Sequence, residues 1–555
     1  MLLWNTMEWW KNKNGILQIY PRSYKDSNSD GVGDIRGIIE KLPYLKGSES
    51  SLNIDAIWLS PFYPSPMADF GYDVSDYMGV DPLFGTLDDF KELLHEAHKR
   101  KIAVMIDLVP NHTSSAHPWF KEAALDPVSP KRDYYFFREA HDDSPPNNWL
   151  SVFGGTAWTK EPNGSQYYLH SFLDKQPDLN WANPEVQDEF RKIVRFWCDL
   201  GIDGFRIDAI NWLGKHPELI DEPENLDYIP DGNDPYGRLH HIYSQSTAYM
   251  DTYLNVLTSE VKKYPGKIML FESYADHGFP EEIQMRRLYD VDPSVSAPFH
   301  FGGIAAGKSA RKLAATILEG EKARDPLSAS IYCFGNHDKP RLLRRVGPVA
   351  ARSIALIQLC LPGIPVIYYG EDIGMSNVLI DSEHVLDPFE KQVPGIGLGR
   401  DIARTPMQWN PDPGAGFTKA DKPWLPYADD YREVNVMVQQ RDKNSFFWLY
   451  KHLLKLRSQY KTLRVGNYEE IFVNDDVYIY SVSHDNETFL VVANLSDHER
   501  TFNLPEEGEV LLHAKHPDKQ RQPTTGLHEI DAWDAVLIRY DYRFRSMFGL
   551  YNVSR

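Results

Sequence analysis

Gly204-Phe205-Arg206-Ile207-Asp208-Ala209-Ile210 sets a guanidinium and a carboxylate two residues apart in an apolar run. In an extended strand alternate side chains share a face, so Arg206 and Asp208 point one way and Phe205, Ile207 and Ala209 the other. A cation that close favours the ionised carboxylate, and an ionised Asp in a cleft can act as a nucleophile. The same pattern also serves as a structural ion pair at a strand end, and the heptapeptide alone leaves both open. The rest of the chain separates them. Asp69, Tyr72 and Asp73 follow one apolar run, Asn111 and His112 another, Glu272 a later one, and His337 and Asp338 a further one. Two His, several acids and an Arg at the same end of different strands are hard to explain by packing. Barrel enzymes gather their chemistry at that end.

The elements that must position these groups are short apolar runs alternating with amphipathic stretches. Gly15–Tyr20, Ala56–Ser60, Ile102–Val109, Gly204–Ile210, Ile268–Glu272, Ser330–Phe334 and Ile364–Tyr369 read as buried strands, with Leu87–Arg100 and Glu185–Leu200 as helices between them. This alternation predicts an α/β fold, a (β/α)8 TIM barrel whose weakest strand lies near Leu288–Val291. Residues 112–178 carry Pro, Asn, Gly and aromatic clusters and too little helical periodicity for a barrel repeat. They read as a small inserted domain after the third strand, dividing the barrel into 1–111 and 179–465. Residues 375–425 form a second loop-rich excursion, and Ser445–Tyr460 an amphipathic helix. Alternating runs such as Asp476–Val482 and Thr488–Asn494 then predict an all-β C-terminal domain, a β-sandwich over 466–555.

Composition narrows the partners. A net charge of -20 disfavours nucleic acid and anionic membrane. Cys198, Cys333 and Cys360 lie far apart in apolar surroundings, without metal-like spacing, and read as buried thiols of a reducing compartment. The first ten residues lack a signal-peptide pattern, and no apolar run reaches membrane-spanning length. The expectation is a soluble cytoplasmic protein, with its oligomeric state left open.

Asp107–His112 (DLVPNH), Gly204–Ile210 (GFRIDAI), Phe271–Tyr274 (FESY) and Phe334–Asp338 (FGNHD) together resemble the motifs of α-amylase family glycoside hydrolases. Gln176–Asn180 (QPDLN) and Arg400–Trp409 (RDIARTPMQW) resemble the oligo-1,6-glucosidase and α-glucosidase group within that family. The resemblance implies that Asp208 is the nucleophile, Glu272 the acid/base, and Asp338 the group that grips sugar hydroxyls and supports the transition state. It implies that His112, Arg206 and His337 complete the glucose subsite, that an Asp69–Arg404 pair closes the pocket, and that Tyr72 and Phe153 form platforms for the sugar ring. Retention by double displacement needs a nucleophile and a protonated carboxyl about 5–5.5 Å apart. Arg206 beside Asp208 suits the member of the pair that stays charged.

Asp26–Asp34 (DSNSDGVGD) sets oxygen side chains at Asp26, Asn28, Asp30 and Asp34, with Gly31 permitting a sharp turn and Val32 offering its carbonyl. Hard oxygen donors at alternate positions suit Ca²⁺. The twelfth position is Gly37 rather than a bidentate Glu, which excludes an EF-hand sensor. The resemblance implies one structural Ca²⁺, with Mg²⁺ as the alternative.

Asn211-Trp212 stands where endo-acting amylases carry a Lys-His pair, so the resemblance favours short oligosaccharides or disaccharides over starch. Within the group the residue after the nucleophile tracks linkage, and Ala209 points to α-1,4 bonds, as does the segment with Asp234-Pro235-Tyr236. Ser273 and Lys339 sit on the acceptor side and leave the aglycone open. The expected activity is exo-acting release of glucose from short α-glucosides through a covalent glucosyl-enzyme. A transglucosylase or sucrose isomerase would use the same intermediate. A non-catalytic amylase-like scaffold would lack the full acid set that is present here.

Overall fold

The computed structural model describes residues 6–139, 144–161, 164–230, 232, 234–274, 281–519 and 521–541. In chain order the first strands are β1 (Ile16–Ile19), β2 (Ala56–Leu59), β3 (Ala103–Leu108), β4 (Phe137–Glu139), β5 (Trp158–Lys160) and β6 (Gln166–Leu169). They continue with β7 (Gly204–Ile207), β8 (Ile268–Phe271), β9 (Ser296–His300), β10 (Ile331–Cys333) and β11 (Ile364–Tyr368). Eight of these close a parallel barrel in the order β1-β11-β10-β9-β8-β7-β3-β2. Its strands are buried on both faces, which is why they read as near-continuous apolar runs.

The helices outside the barrel end where their sequence signals place them. Thr86 and Asp89 form a capping box that opens Leu87–Lys99, whose Phe90, Leu93, Leu94 and Ala97 are buried. Asn183 caps Pro184–Leu200, and Gly201 ends it at φ 111°, a left-handed conformation that costs glycine least.

The weakest strand is elsewhere than expected. Leu288 lies on the buried side of the helix Glu281–Tyr289, and the strand between β8 and β10 is Ser296–His300. Its sequence, SAPFH, has Pro298 at the centre and one strong β-former, so local preference argues against a strand. The neighbouring strands supply the pairing that the sequence does not advertise.

The insertion after β3 builds a three-stranded antiparallel sheet in the order β4-β6-β5. It opens on a helix, Pro118–Leu125, which the aromatic and Pro-rich composition had hidden. Isolated bridges His112↔Asp178 and Tyr135↔Leu179 tie its base to the barrel.

The C-terminal strands are β12 (Asn467–Val473), β13 (Val477–His484), β14 (Glu487–Asn494), β15 (Arg500–His513), β16 (Gln522–Ile530) and β17 (Ala535–Tyr540). They form one hydrogen-bonded sheet in the order β12-β13-β14-β17-β15-β16, where two sheets of a sandwich were expected. Phe502, Leu504 and Ile530 from the β15–β16 end share a core cluster with Val477, Ile479, Leu490 and Val492, so the sheet folds back over its own outer face. The alternate residues Tyr478, Tyr480, Phe489 and Val491 join the main core, and the Tyr480 hydroxyl donates to the Ile357 carbonyl at 2.7 Å.

Among the described residues no helix is long and apolar enough to cross a membrane, and the three cysteines are buried and unpaired.

Candidate active site

The centre of the site is built by barrel register. Asp107 on β3 is the Cα partner of Arg206 on β7, and Ile207 pairs with Phe271, which brings Glu272 alongside Asp208. The Arg206 guanidinium meets Asp208 at 2.5 Å, Glu272 at 2.5 Å and Asp107 at 3.1 Å, with its own side chain 1% exposed. Arg206 therefore serves both carboxyls of the implied catalytic pair and does not by itself select the nucleophile.

Ala209 anchors Glu272. It sits at φ 49°, ψ 40°, a left-handed conformation uncommon for a residue with a Cβ. That turn aims its N–H at Glu272 Oε2, 2.9 Å away, and starts the chain away from the barrel immediately after Asp208. Local strain of this kind persists where surrounding structure over-determines it, and it is common at functional sites.

Asp338 lies in the loop after β10. Arg404 donates to it at 2.8 Å and also to the His337 carbonyl, and Arg400 stands 3.6 Å away. Asp69 is paired with Arg400 Nη2 at 2.7 Å, and Asp387 takes the same nitrogen at 2.7 Å and Nε at 3.1 Å. This corrects the expected Asp69–Arg404 pair. Arg404 faces Asp338, and the guanidinium four residues earlier takes Asp69.

The remaining implied residues divide into wall and backing. Tyr72 stacks on His337 with ring centres 5.4 Å apart, donates its hydroxyl to Asp107 at 3.0 Å and lies 2.6 Å from His337 Nε2. Gln18 reaches His337 Nδ1 at 2.8 Å, so both ring nitrogens are engaged. His112 Nε2 lies 3.1 Å from the Tyr72 carbonyl and 3.0 Å from the Gln176 amide, which also reaches Asp69 at 3.3 Å. Phe153 stacks on Phe389 at 4.7 Å beneath the Arg400 guanidinium.

One cavity of about 350 Å³ collects Asp208, Glu272 and Asp338 with Asp69, Tyr72, His112, Phe153 and Arg400. Arg206, His337 and Arg404 stand behind this wall and hold its carboxylates and rings. The buried Asp69–Arg400 pair marks one side, and exposed Lys339 with Trp212 and Tyr236 the other. That size is at the lower end for ligand pockets and suits a short sugar chain.

The α-amylase catalytic-domain family matches the chain over residues 18–466. The chain belongs to that family. It is similar to an oligo-1,6-glucosidase of Parageobacillus thermoglucosidasius, 39% identical over 90% of this chain and 92% of the relative. It is also similar to a probable alpha-glucosidase of Rhizobium meliloti (strain 1021), 37% identical over 90% of this chain and 91% of that protein. A solved alpha-glucosyl transfer enzyme, XgtA, superposes with a TM-score of 0.86 at 37% identity, covering 95% of this chain and 99% of its own.

In this α-amylase-family glycoside hydrolase both carboxyls of the pair are shifted toward the protonated form, so Arg206 does not mark Asp208 as the member that stays charged. Burial pushes Asp208 well above the ordinary carboxyl range; Arg206 opposes the shift, and Glu272, Asp107 and Asp338 add to it. Burial also raises Glu272, with Arg206 opposing and Asp338 adding. The pair therefore holds a proton to higher pH than two isolated carboxyls would. Burial opposes the charge on Asp338 too, yet the guanidiniums of Arg404 and Arg400 hold that carboxyl below its usual range. Burial drives His337 well below its ordinary value and His112 down to about 4, so both rings are neutral at pH 7.

A consequence is a bell-shaped kcat/KM profile for an enzyme that needs one carboxyl of the pair charged and the other protonated. Activity should rise with pH as the first proton leaves and fall as the second leaves. The falling limb should lie well above the ordinary glutamate value of about 4.3. Kinetics on maltose across the pH range would measure both limbs, and a falling limb at that ordinary value would contradict the arrangement.

Several residues of the site were not singled out from the sequence. Arg400 stood inside a quoted motif, four residues before Arg404, and two guanidiniums in one loop cannot be assigned without its path. Asp387 and Phe389 come from the same 375–425 excursion and carry no motif. Asp107 opens DLVPNH as a strand residue, and only the register with β7 makes it a ligand of Arg206.

The expected metal loop is closed by its own hydrogen bonds. Asp26 accepts the N–H groups of Ser29 and Gly31 at 2.6 and 2.9 Å, and Asp30 accepts that of Val32 at 2.8 Å. Asn28 takes the Asp30 N–H at 3.0 Å, and Asp34 accepts Ser27 and caps the helix Ile35–Leu45 through Gly37. Among the described residues no group of three or more His, Cys, Asp and Glu is gathered as metal ligands.

Proposed function

We propose that this enzyme is a retaining, exo-acting α-glucosidase that releases glucose from the non-reducing end of short α-glucosides, with α-1,4 bonds preferred. The observation that carries this reading is one guanidinium, Arg206, bridging two carboxyls in a small pocket backed by the Asp69–Arg400–Asp387 clamp. In the proposed reaction an Asp208 oxygen forms a bond to the anomeric carbon while the glycosidic oxygen leaves with the proton of Glu272. Water then gives a proton to Glu272 and its oxygen displaces Asp208, restoring both groups and the original configuration. Asp338, fixed by Arg404 and kept charged, is placed to hold sugar hydroxyls and stabilise positive charge developing on the ring. The test is glucose release from maltose, isomaltose, sucrose and trehalose. Prompt release from maltose with isomaltose poor supports the reading, and preference for isomaltose overturns the linkage.

Ala209 gives the linkage preference a physical handle, because it lines the cavity and already occupies a left-handed conformation. Ala209→Val adds two methyl groups there and should move the isomaltose-to-maltose ratio of kcat/KM upward by about tenfold, the size of a 1.4 kcal/mol change in transition-state binding. An unchanged ratio in paired kinetics would remove Ala209 as a determinant.

The second reading, a transglucosylase or sucrose isomerase, draws on Trp212, Tyr236 and Lys339 at the exposed side of the cavity and on the likeness to a glucosyl transfer enzyme. New disaccharides in place of free glucose at high maltose or sucrose would favour it. Residence in a reducing cytoplasm is likewise our proposal, supported by three buried, unpaired thiols.

A structural Ca²⁺ or Mg²⁺ held by Asp26, Asn28, Asp30, the Val32 carbonyl and Asp34 is proposed from their alternate spacing alone. If it is bound, EDTA should lower Tm by about 2–5 °C and either metal should restore it, as expected for a ligand of the native state. Identical melting with and without chelator would retire the metal.

A further inference from the structure

The opposite end of the barrel holds a second cavity, of about 460 Å³, formed where four successive strands begin. Lys13 precedes β1, Asp55 precedes β2, Lys101 precedes β3 and Asp203 precedes β7, and Lys46 reaches in from the end of the helix Ile35–Leu45. On a chain of net charge -20, three ammonium groups meet here.

Their acids are largely committed elsewhere. Asp55 accepts the Asn14 N–H at 2.9 Å and pairs loosely with Lys46 at 3.9 Å, while Lys46 donates to the Lys101 carbonyl at 3.3 Å. Asp203 accepts the Val104 N–H at 2.8 Å and pairs with His98 at 2.7 Å. Lys13 is 9% exposed, and among the described residues no carboxylate lies within ion-pair distance of its ammonium. The Trp9 ring centre lies 3.8 Å from that ammonium, and Asp55 and Asp203 attract it from farther away. Lys101 is exposed at the rim and also lacks a carboxylate partner among the described residues. Burial lowers the affinity of Lys13 and Lys46 for their protons; Asp55 opposes this at both and Asp203 at Lys13, while Lys46 adds to the shift at Lys13 and Lys101 to that at Lys46. Like charges gathered in a concave, partly desolvated space are unfavourable unless an anion joins them.

We propose that this cavity is a binding site for a compact phosphate group, free or carried on a small sugar, held by Lys13, Lys46 and Lys101. A tetrahedral oxyanion accepts hydrogen bonds from several compact ammonium groups at once, and lysine serves phosphate as a point charge. Binding would join the segment before β1 to the ends of two neighbouring elements. It lies at the end of the barrel opposite the carboxyls of the active site, so it would act on stability and not on the chemical step.

The test is thermal melting and titration calorimetry of the whole enzyme with inorganic phosphate, glucose 6-phosphate and sodium chloride at matched ionic strength. Phosphate or its sugar ester should raise Tm by about 1–2 °C beyond chloride. Response to both identifies the phosphate group itself as the ligand, and response to the ester alone identifies a sugar-borne phosphate. Lys13→Gln with Lys46→Gln should abolish the shift and leave kcat on maltose unchanged. Lys101→Gln, at an exposed position, should weaken binding by about fivefold, the scale of one partly exposed ion pair. No shift beyond chloride with either ligand, or a shift that survives the double variant, overturns the proposal.

Discussion

Asp208→Asn is expected to lower kcat on maltose by about 10⁴–10⁶-fold, the scale seen when a covalent nucleophile is removed. The replacement is nearly isosteric and keeps an oxygen toward Arg206, so a folded protein with unchanged melting cooperativity should accompany the loss. Azide can report which carboxyl does what. With Asp208→Gly it should take the nucleophile's place and give the β-glucosyl azide. With Glu272→Ala it should attack the intact glucosyl-enzyme and give the α-glucosyl azide. Arg206 touches both carboxyls at 2.5 Å, so proximity to the cation does not distinguish them, and the azide stereochemistry does. Near-normal activity in Asp208→Asn would overturn the central assignment.

Arg400→Ala should be the most damaging single change outside the carboxyl trio. Its guanidinium is the shared counter-ion of Asp69 and Asp387, both at 2.7 Å, and all three side chains are almost fully buried. Removing one partner of a buried ionic group leaves uncompensated charge and costs about 3–5 kcal/mol. The same change opens the clamp and frees Asp69, so kcat/KM on maltose should fall by about 10²–10³-fold, the range for lost positioning of a bound group. A double-mutant cycle between Asp69 and Arg400 should give a coupling of about 1–3 kcal/mol. The cycle between Asp69 and Arg404 should give clearly less, because Arg404 is directed to Asp338 at 2.8 Å. Equal couplings would restore the pair expected from the sequence.

Those two arginines show where sequence reasoning stopped. RDIARTPMQW marks a loop of the family, but both Arg400 and Arg404 lie on it, and the choice of partner depends on how residues 375–404 cross the cavity. A pair 331 residues apart in the chain leaves no periodic signal. Pro298 shows the same limit in the fold. A pentapeptide with a central proline does not look like a strand, and it is one because β8 and β10 flank it with unpaired edges.

What the sequence determined by itself was local or repetitive. Alternating apolar runs and capped amphipathic helices were enough for a parallel barrel, because each βα unit carries its own period, caps and buried face. The parity of Arg206 and Asp208 was enough to put them on one side of a strand. The tertiary structure alone decided everything that needed two distant segments at once: Asp107 and Glu272 sharing Arg206 through barrel register, Arg400 between Asp69 and Asp387, and three lysines meeting below the strands. The physical reason is that closure of the barrel sets the stagger between strands. Side-chain identity fixes which charges a strand carries, and only that stagger fixes which of them meet.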